Sequence, residues 1–217
     1  MQSNVITTLR LFGLTAVVSI LAALYLLAPP CASAATVTWI GATNTDWHTG
    51  SNWSTGLEPG ASDNVIVNNV ANAPTLSNAR TIHSLTINGG ETVTLNNTLT
   101  MDGTPTTATL INNGTITGSG TLETQNTVSF STVGAFDVAL NANTGTTTSA
   151  TGTYGGNIII DSGATLTVNA SSTLTHNGDL TNNGTLSGAS NASFIFNGTN
   201  KTVTNNGSIT PGFFIFD

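Results

Sequence analysis

Asn112-Asn113-Gly114-Thr115-Ile116-Thr117-Gly118 returns as Asn182-Asn183-Gly184-Thr185-Leu186-Ser187-Gly188, and in shortened form as Asn205-Asn206-Gly207-Ser208-Ile209. Each copy joins a turn signal to a short run in which an apolar residue alternates with Thr or Ser, the period-2 pattern of a half-buried strand. Asn and Gly suit the turn because they accept positive φ at little cost. A longer repeat lies across the first. Leu85-Thr86-Ile87-Asn88 through Val93-Thr94-Leu95 and Leu99-Thr100 matches Ile158-Ile159-Ile160-Asp161 through Leu166-Thr167-Val168 and Leu174-Thr175. The offset is 73 residues at Leu85 and 70 at Asn112. At about 20–29 residues per coil, as in strand-bearing solenoid repeats, one unit spans about three coils.

Short strands between turns also fit a β-sandwich. The sequence repeat favours an all-β, right-handed parallel β-helix (a β-solenoid), because sandwiches rarely repeat their sequence. Stacked coils place Asn, Thr and apolar residues in ladders, and pair every backbone group except those at the two ends. Inward Val, Ile, Leu and Phe form a thin continuous core. Outward Thr fits a pleated surface because it is β-branched.

The composition agrees. The 217 residues include Lys+Arg 3 and Asp+Glu 10, a net charge of -7, with 42 Thr, 26 Asn and 23 Gly. Helical globular domains need charged wet faces, and about a quarter of an ordinary domain is charged. Nucleic-acid binding needs a basic patch that Arg10, Arg80 and Lys201 cannot build. A collagen-like chain needs a strict Gly period that is absent here.

Residues 1–34 read as a helical export segment ahead of the fold. Arg10 and the amino terminus form a weak positive region, and an apolar run extends from Leu11 to Ala28. Pro29 and Pro30 follow, and then Ala32-Ser33-Ala34, the A-x-A pattern of a signal-peptidase site, with cleavage expected after Ala34. An uncleaved membrane anchor over residues 11–28 is the alternative, since roughly 20 apolar residues cross a bilayer. Cys31 is the single cysteine. Pro30 before it argues against a lipoprotein signal, so the mature chain is expected to lack cysteine and to depend on no disulfide. The expected location is extracellular or at the cell surface, associated with the outer membrane, after transit through a bacterial periplasm.

Residues 35–80 are irregular and hold all three Trp: Trp39, Trp47 and Trp53. Residues 81–217 are the repeats. Asn141 to Gly156, rich in Thr, Ser and Gly, reads as a loop bulging from one coil. Phe213-Phe214-Ile215-Phe216-Asp217 resembles Ile158-Ile159-Ile160-Asp161, the opening of the second unit. A solenoid end exposes core and strand edge unless something covers it. The expectation is an N-terminal fragment with a missing C-terminal domain, or an end covered by another chain.

The opening Trp39-x-Gly41, Asp46-Trp47, Asn52-Trp53, Pro59 and Asp63-x-Val65-x-Val67 resembles the start of exported bacterial β-helix surface proteins, which are adhesin-like, autotransporter-passenger-like or type IX-secreted. Ser84-Leu85-Thr86-Ile87, Gly89, Thr92-Val93-Thr94-Leu95 and Asn112-Asn113-Gly114-Thr115-Ile116 are similar to the solenoid that follows in such chains. The resemblance implies a secreted stalk or surface protein, often carrying a translocator barrel or a sorting domain.

The functional expectation is a non-catalytic structural or adhesive module, with no cofactor, no metal and no nucleic-acid partner, that meets a cell-surface glycan or matrix. Trp39, Trp47 and Trp53 are candidates for a glycan platform or for a cap over the first coil. The cap is preferred because they sit where a cap must be. His48, His83 and His176 are far apart and read as surface or loop residues. A polysaccharide-binding or polysaccharide-degrading β-helix is the alternative, and catalysis would need convergent carboxylates. Asp102, Glu123, Asp137, Asp161 and Asp179 are scattered singly, although stacking could bring Asp102 and Asp179 to one face. Rows of Thr could match ice, as in β-solenoid ice binders. Thr92-Val93-Thr94, Thr115-Ile116-Thr117, Thr165-Leu166-Thr167 and Thr202-Val203-Thr204 carry that minor alternative, at uneven spacing.

Overall fold

The computed structural model describes residues 34–68, 71–210 and 212–216. The export segment expected over residues 1–34 lies outside these but for Ala34, and so does the alternative anchor at 11–28.

Strands come in groups of three. β1 (Thr36–Trp39) stands first, and β2 (Asn64–Val67), β3 (Thr75–Leu76) and β4 (Arg80–Ile82) make the first full coil. β5 (Ser84–Ile87), β6 (Thr92–Leu95) and β7 (Thr98–Asp102) make the second. In the next two coils one long strand covers two sides: β8 (Ala108–Thr117) with β9 (Thr121–Gln125), then β10 (Thr127–Phe136) with β11 (Ala139–Ala142). β12 (Thr146–Ser149), β13 (Gly152–Tyr154) and β14 (Ile158–Ile160) follow, then β15 (Thr165–Val168), β16 (Thr173–His176) and β17 (Leu180–Asn182). β18 (Thr185–Gly188), β19 (Ser193–Phe196) and β20 (Val203–Asn205) complete the seventh coil, and β21 (Ser208–Thr210) and β22 (Phe213–Phe216) extend it.

Three faces result. The first is β1-β2-β5-β8-β10-β12-β15-β18-β21, and the third is β4-β7-β9-β11-β14-β17-β20. The second joins β3, β6, the later halves of β8 and β10, then β13, β16, β19 and β22. Pairing along every face is parallel, so the chain is an all-β parallel β-solenoid of seven turns. Each turn rises about 4.8 Å, the spacing of paired strands.

Register stacks like on like. Val65, Leu85, Leu110, Phe130, Ser149, Val168 and Gly188 form one inward column of the first face, with 19 to 25 residues between successive members. On the second face Val93, Ile116, Phe136, Tyr154, His176, Phe196 and Phe216 form an inward column that becomes aromatic along its length. The rings of Phe136 and Tyr154 lie 4.9 Å apart, and Phe196 and Phe216 stack at 5.0 Å. Between these columns the alternate residues face outward and are mostly Thr, Ser and Asn. Each strand's backbone is satisfied by the coils on either side, so the outside needs few charges to protect an edge.

Three expectations change. Asn141 to Gly156 is not a bulging loop: it holds the end of β11, all of β12 and all of β13, and so belongs to a regular coil. The inward residues of β12 are Thr147 and Ser149, both buried, which bond to the Thr124 hydroxyl at 2.6 Å and the Tyr154 hydroxyl at 2.8 Å. Hydroxyls satisfying one another inside a core leave no apolar alternation to read.

The 73-residue unit is also not a whole number of coils. Leu85 lies on the first face and Ile158 on the third, three turns and two strands later. The three sides of the prism have interchangeable sequences because each poses the same problem, one face in and one face out. Phe213–Phe216 accordingly continues the second face beneath β19, whereas Ile158–Ile160 belongs to the third.

The third change concerns Asn-Asn-Gly, whose Gly114 and Gly184 are not in the left-handed region. A methyl group on either would collide with the coil before it, at the Glu91 carbonyl for Gly114 and at the Ala164 and Asp161 carbonyls for Gly184. In these two copies the first Asn turns inward and is buried. The Asn112 amide donates to the Ala135 carbonyl at 3.0 Å and its oxygen accepts from the Gly114 N–H at 3.1 Å. Asn182 repeats the arrangement, donating to Asn205 Oδ1 and the Ser208 carbonyl and accepting from Gly184 N–H. The motif is a corner brace in which a buried side chain satisfies the backbone where the ladder turns.

Candidate functional site

The N-terminal end is built from the Trp-bearing segment. Trp53 pairs antiparallel with Trp39, so this segment runs along the outer edge of β1, with Ser54 N–H on the Thr38 carbonyl at 2.9 Å. Asp46 bridges in parallel to Thr75 and covers the outer edge of β3. Trp39, Trp47 and Trp53 are buried and meet edge to face, with both contacts to Trp53 at 4.8 Å. Edge-to-face contacts suit the ring quadrupoles. Trp39 Nε1 donates to the Asn72 carbonyl and Trp53 Nε1 to the Trp47 carbonyl, each at 2.7 Å. Gly41 sits at φ +56°, where a side chain would press on Asn72 and the Trp39 indole. No face of the three rings is open to solvent, so stacking a sugar on them would require this segment to move.

Asn52, buried at the centre of the cap, escaped the sequence reading. Its oxygen accepts from the N–H groups of Thr43 and Asn44, and its amide donates to Asn44 Oδ1 and the Asp46 carbonyl. All four of its hydrogen-bonding positions are used. Its only signal was its place before Trp53.

At the cap's third corner His48 Nδ1 lies 2.8 Å from Glu58, and Arg80 Nη1 lies 3.1 Å from the other oxygen of that carboxylate. Arg80 Nε donates to the Pro59 carbonyl at 2.7 Å. The Asn78 N–H donates to His48 Nε2, which makes Nδ1 the protonated nitrogen and the donor to Glu58. These groups clasp the cap to the first coil.

The remaining acids are spread along the coils. Asp102 accepts from the Asn126 amide at 2.7 Å, Glu123 from Gln125 at 2.8 Å, and Asp179 from the Thr202 N–H at 2.9 Å. Asp102 ends β7 and Asp179 precedes β17, four strand spacings along the third face. That separates them by about 19 Å along the axis. Stacking therefore does not bring them together. Among the described residues no three of His, Cys, Asp and Glu gather where they could hold a metal ion.

His83 lies in the bend between β4 and β5, a loop position as expected, but is buried there, whereas His176 is buried on β16 and is neither a surface nor a loop residue. The His83 ring bonds the Asp102 carbonyl at 2.8 Å. His176 lies in the aromatic column, edge-on to Phe194 and Phe196 at 6.2 and 6.0 Å. Neither of its ring nitrogens has a hydrogen-bond partner, and burial pushes its pKa below the usual histidine value. Burial likewise raises the Tyr154 phenol, against a weaker opposing effect of its bond to Ser149. Single-residue spacing gave no hint of either environment, because an inward His reads like any polar residue of a strand.

The four Thr-x-Thr runs fall on different faces. Thr92–Thr94 and Thr115–Thr117 stack on the second, Thr165–Thr167 lies on the first, and Thr204 on the third. Register reveals a longer array on the first face. Thr127, Thr146, Thr165, Thr185 and Ser208 form one outward column, and Ser129, Thr148, Thr167, Ser187 and Thr210 form the other. No charged residue lies on any strand of this face.

Fold and surface together define a class: a weakly charged parallel β-solenoid whose first coil is closed by an aromatic cap. Comparison with protein-family models, with curated proteins and with solved structures finds no match.

Proposed function

We propose that the chain is a non-catalytic, exported structural or adhesive module, a stiff rod that carries or presents a binding surface outside the cell. The observation that carries this is the use of the polar groups. Asp63, Asp102 and Asp179 and the buried Asn side chains bond backbone or side chains of neighbouring segments, which leaves outer faces of Thr, Ser and Asn. Seven turns make a rod of about 34 Å at the strand spacing. Such a scaffold is continuous and stiff because every interior coil is locked to two others. Cell-surface glycan or matrix is the partner this reading implies.

The export half is tested by expressing the full chain with a C-terminal tag in a bacterial host. Surface labelling of intact cells, together with a mature chain beginning at Ala35 by mass spectrometry, is the expected result. Retention in the cytoplasm with residues 1–34 intact would overturn it. The adhesive half is tested on glycan and matrix arrays: saturable binding supports it, and absence of any binder reduces the module to a spacer. Release of reducing ends from a bound polysaccharide would replace it with the enzymatic alternative.

A further inference from the structure

The double column of hydroxyls on the first face is the most regular surface of the molecule. From β10 to β21, five successive rungs each present two hydroxyl side chains two residues apart. The pairings from β12 onward run without a register shift. The array therefore repeats about every 4.8 Å along the axis and about 6.6 Å across it.

We propose that this array is a binding surface for the ordered water of an ice crystal face. A single hydroxyl gains little by leaving liquid water, roughly 0.5–1.5 kcal/mol per hydrogen bond at best. An irregular or flexible partner would meet few of these groups at once. A rigid two-dimensional lattice can meet many together, and the backbone ladder holds them in place beforehand, so little ordering entropy is lost on binding. Most members are Thr, whose branched side chain is stiff at χ1 and sets a methyl beside each hydroxyl. Rungs also support one another, as in the 2.8 Å contact between the Thr167 and Ser187 hydroxyls.

The absence of charge on the face selects for a neutral partner. The three Trp, which could have stacked on sugars, are buried at the far end. The inference rests on the fold alone and not on the rod-and-adhesion reading.

One coil supplies its own controls. Thr167, Thr175 and Thr181 face outward on the first, second and third faces of the coil β15–β17. The purified full chain is expected to show thermal hysteresis and to partition into a growing ice front. Thr167→Lys is expected to reduce both by about tenfold or more, as loss of simultaneous engagement does. Thr175→Lys and Thr181→Lys should retain them.

Should Thr167→Lys fail to fold by circular dichroism, Thr167→Val keeps the strand shape, removes the hydroxyl and is expected to weaken both signals. No hysteresis and no partition by the parent would overturn the proposal, and so would equal loss in all three Lys variants. Capture on crystalline chitin or cellulose through the first face, with ice growth unaffected, would overturn it in favour of a glycan.

Discussion

His176 occupies a place that suits a flat ring rather than an imidazole. It stands between Tyr154 and Phe196 in the inward column of the second face, with both nitrogens unpartnered. Burial lowers its pKa; the backbone of Asp179 and Tyr154 and the Asp179 charge favour protonation, and Lys201 opposes it, but burial outweighs the favourable effects. The unfolded chain therefore takes up a proton near the ordinary value of 6.5, which the folded chain takes up only at lower pH. Stability from this group is complete above that pH and falls as pH drops below it. His176→Phe should melt higher than the parent, by a margin that widens between about pH 7.5 and about pH 5. A margin independent of pH would mean that the imidazole is not the source. Asn112 and Asn182 show the same limit of reading single residues. As part of a turn motif they were visible, but their inward orientation follows only from the corner above and below.

At the level of the element, β12 is the instructive case. Thr146–Ser149 carries no aliphatic inward residue, yet it takes its place between β10 and β15. The buried Thr124–Thr147 hydroxyl pair does there what Leu does in the coils that follow. Thr124→Val strands the Thr147 hydroxyl and should cost about 1–3 kcal/mol, whereas Thr147→Val leaves Thr124 its longer bond to the Asn141 carbonyl and should cost less. The double Val variant should recover most of that loss, and chemical denaturation of the four proteins in a cycle measures the coupling. The cap behaves as another unit. Trp53→Ala removes the ring that both other indoles contact and should cost about 3–5 kcal/mol. Because Trp53 also guards the edge of β1, amide exchange at Thr36–Trp39 should accelerate before exchange in the central coils does. Uniform acceleration along the chain would show that the cap and coils unfold together.

Across the whole molecule, hydrogen bonds and apolar columns take the place of charge. The ion pair among the described residues joins Glu58 to Arg80, at the cap, where the His48 ring also donates a hydrogen bond to Glu58. The melting temperature should therefore change little between about 0.05 and about 0.5 M NaCl, where screening weakens exposed pairs. A marked drop with salt would place more weight on the Glu58 cluster than the coils suggest. Short alternating strands fit a sandwich as well as a solenoid, but turns that recur in sequence, together with scarce charge, already favour coils that pair their own backbones. The sequence also located the cap, because three Trp cluster where the first coil must close. Only the folded chain assigns each strand to a side of the prism, since three sides with the same in-and-out demand accept the same sequences. It alone showed which hydroxyls point inward, and it alone assembled the two columns of the first face. Those columns join residues 19 to 23 positions apart, and the varying coil length hides them from any fixed period in the chain.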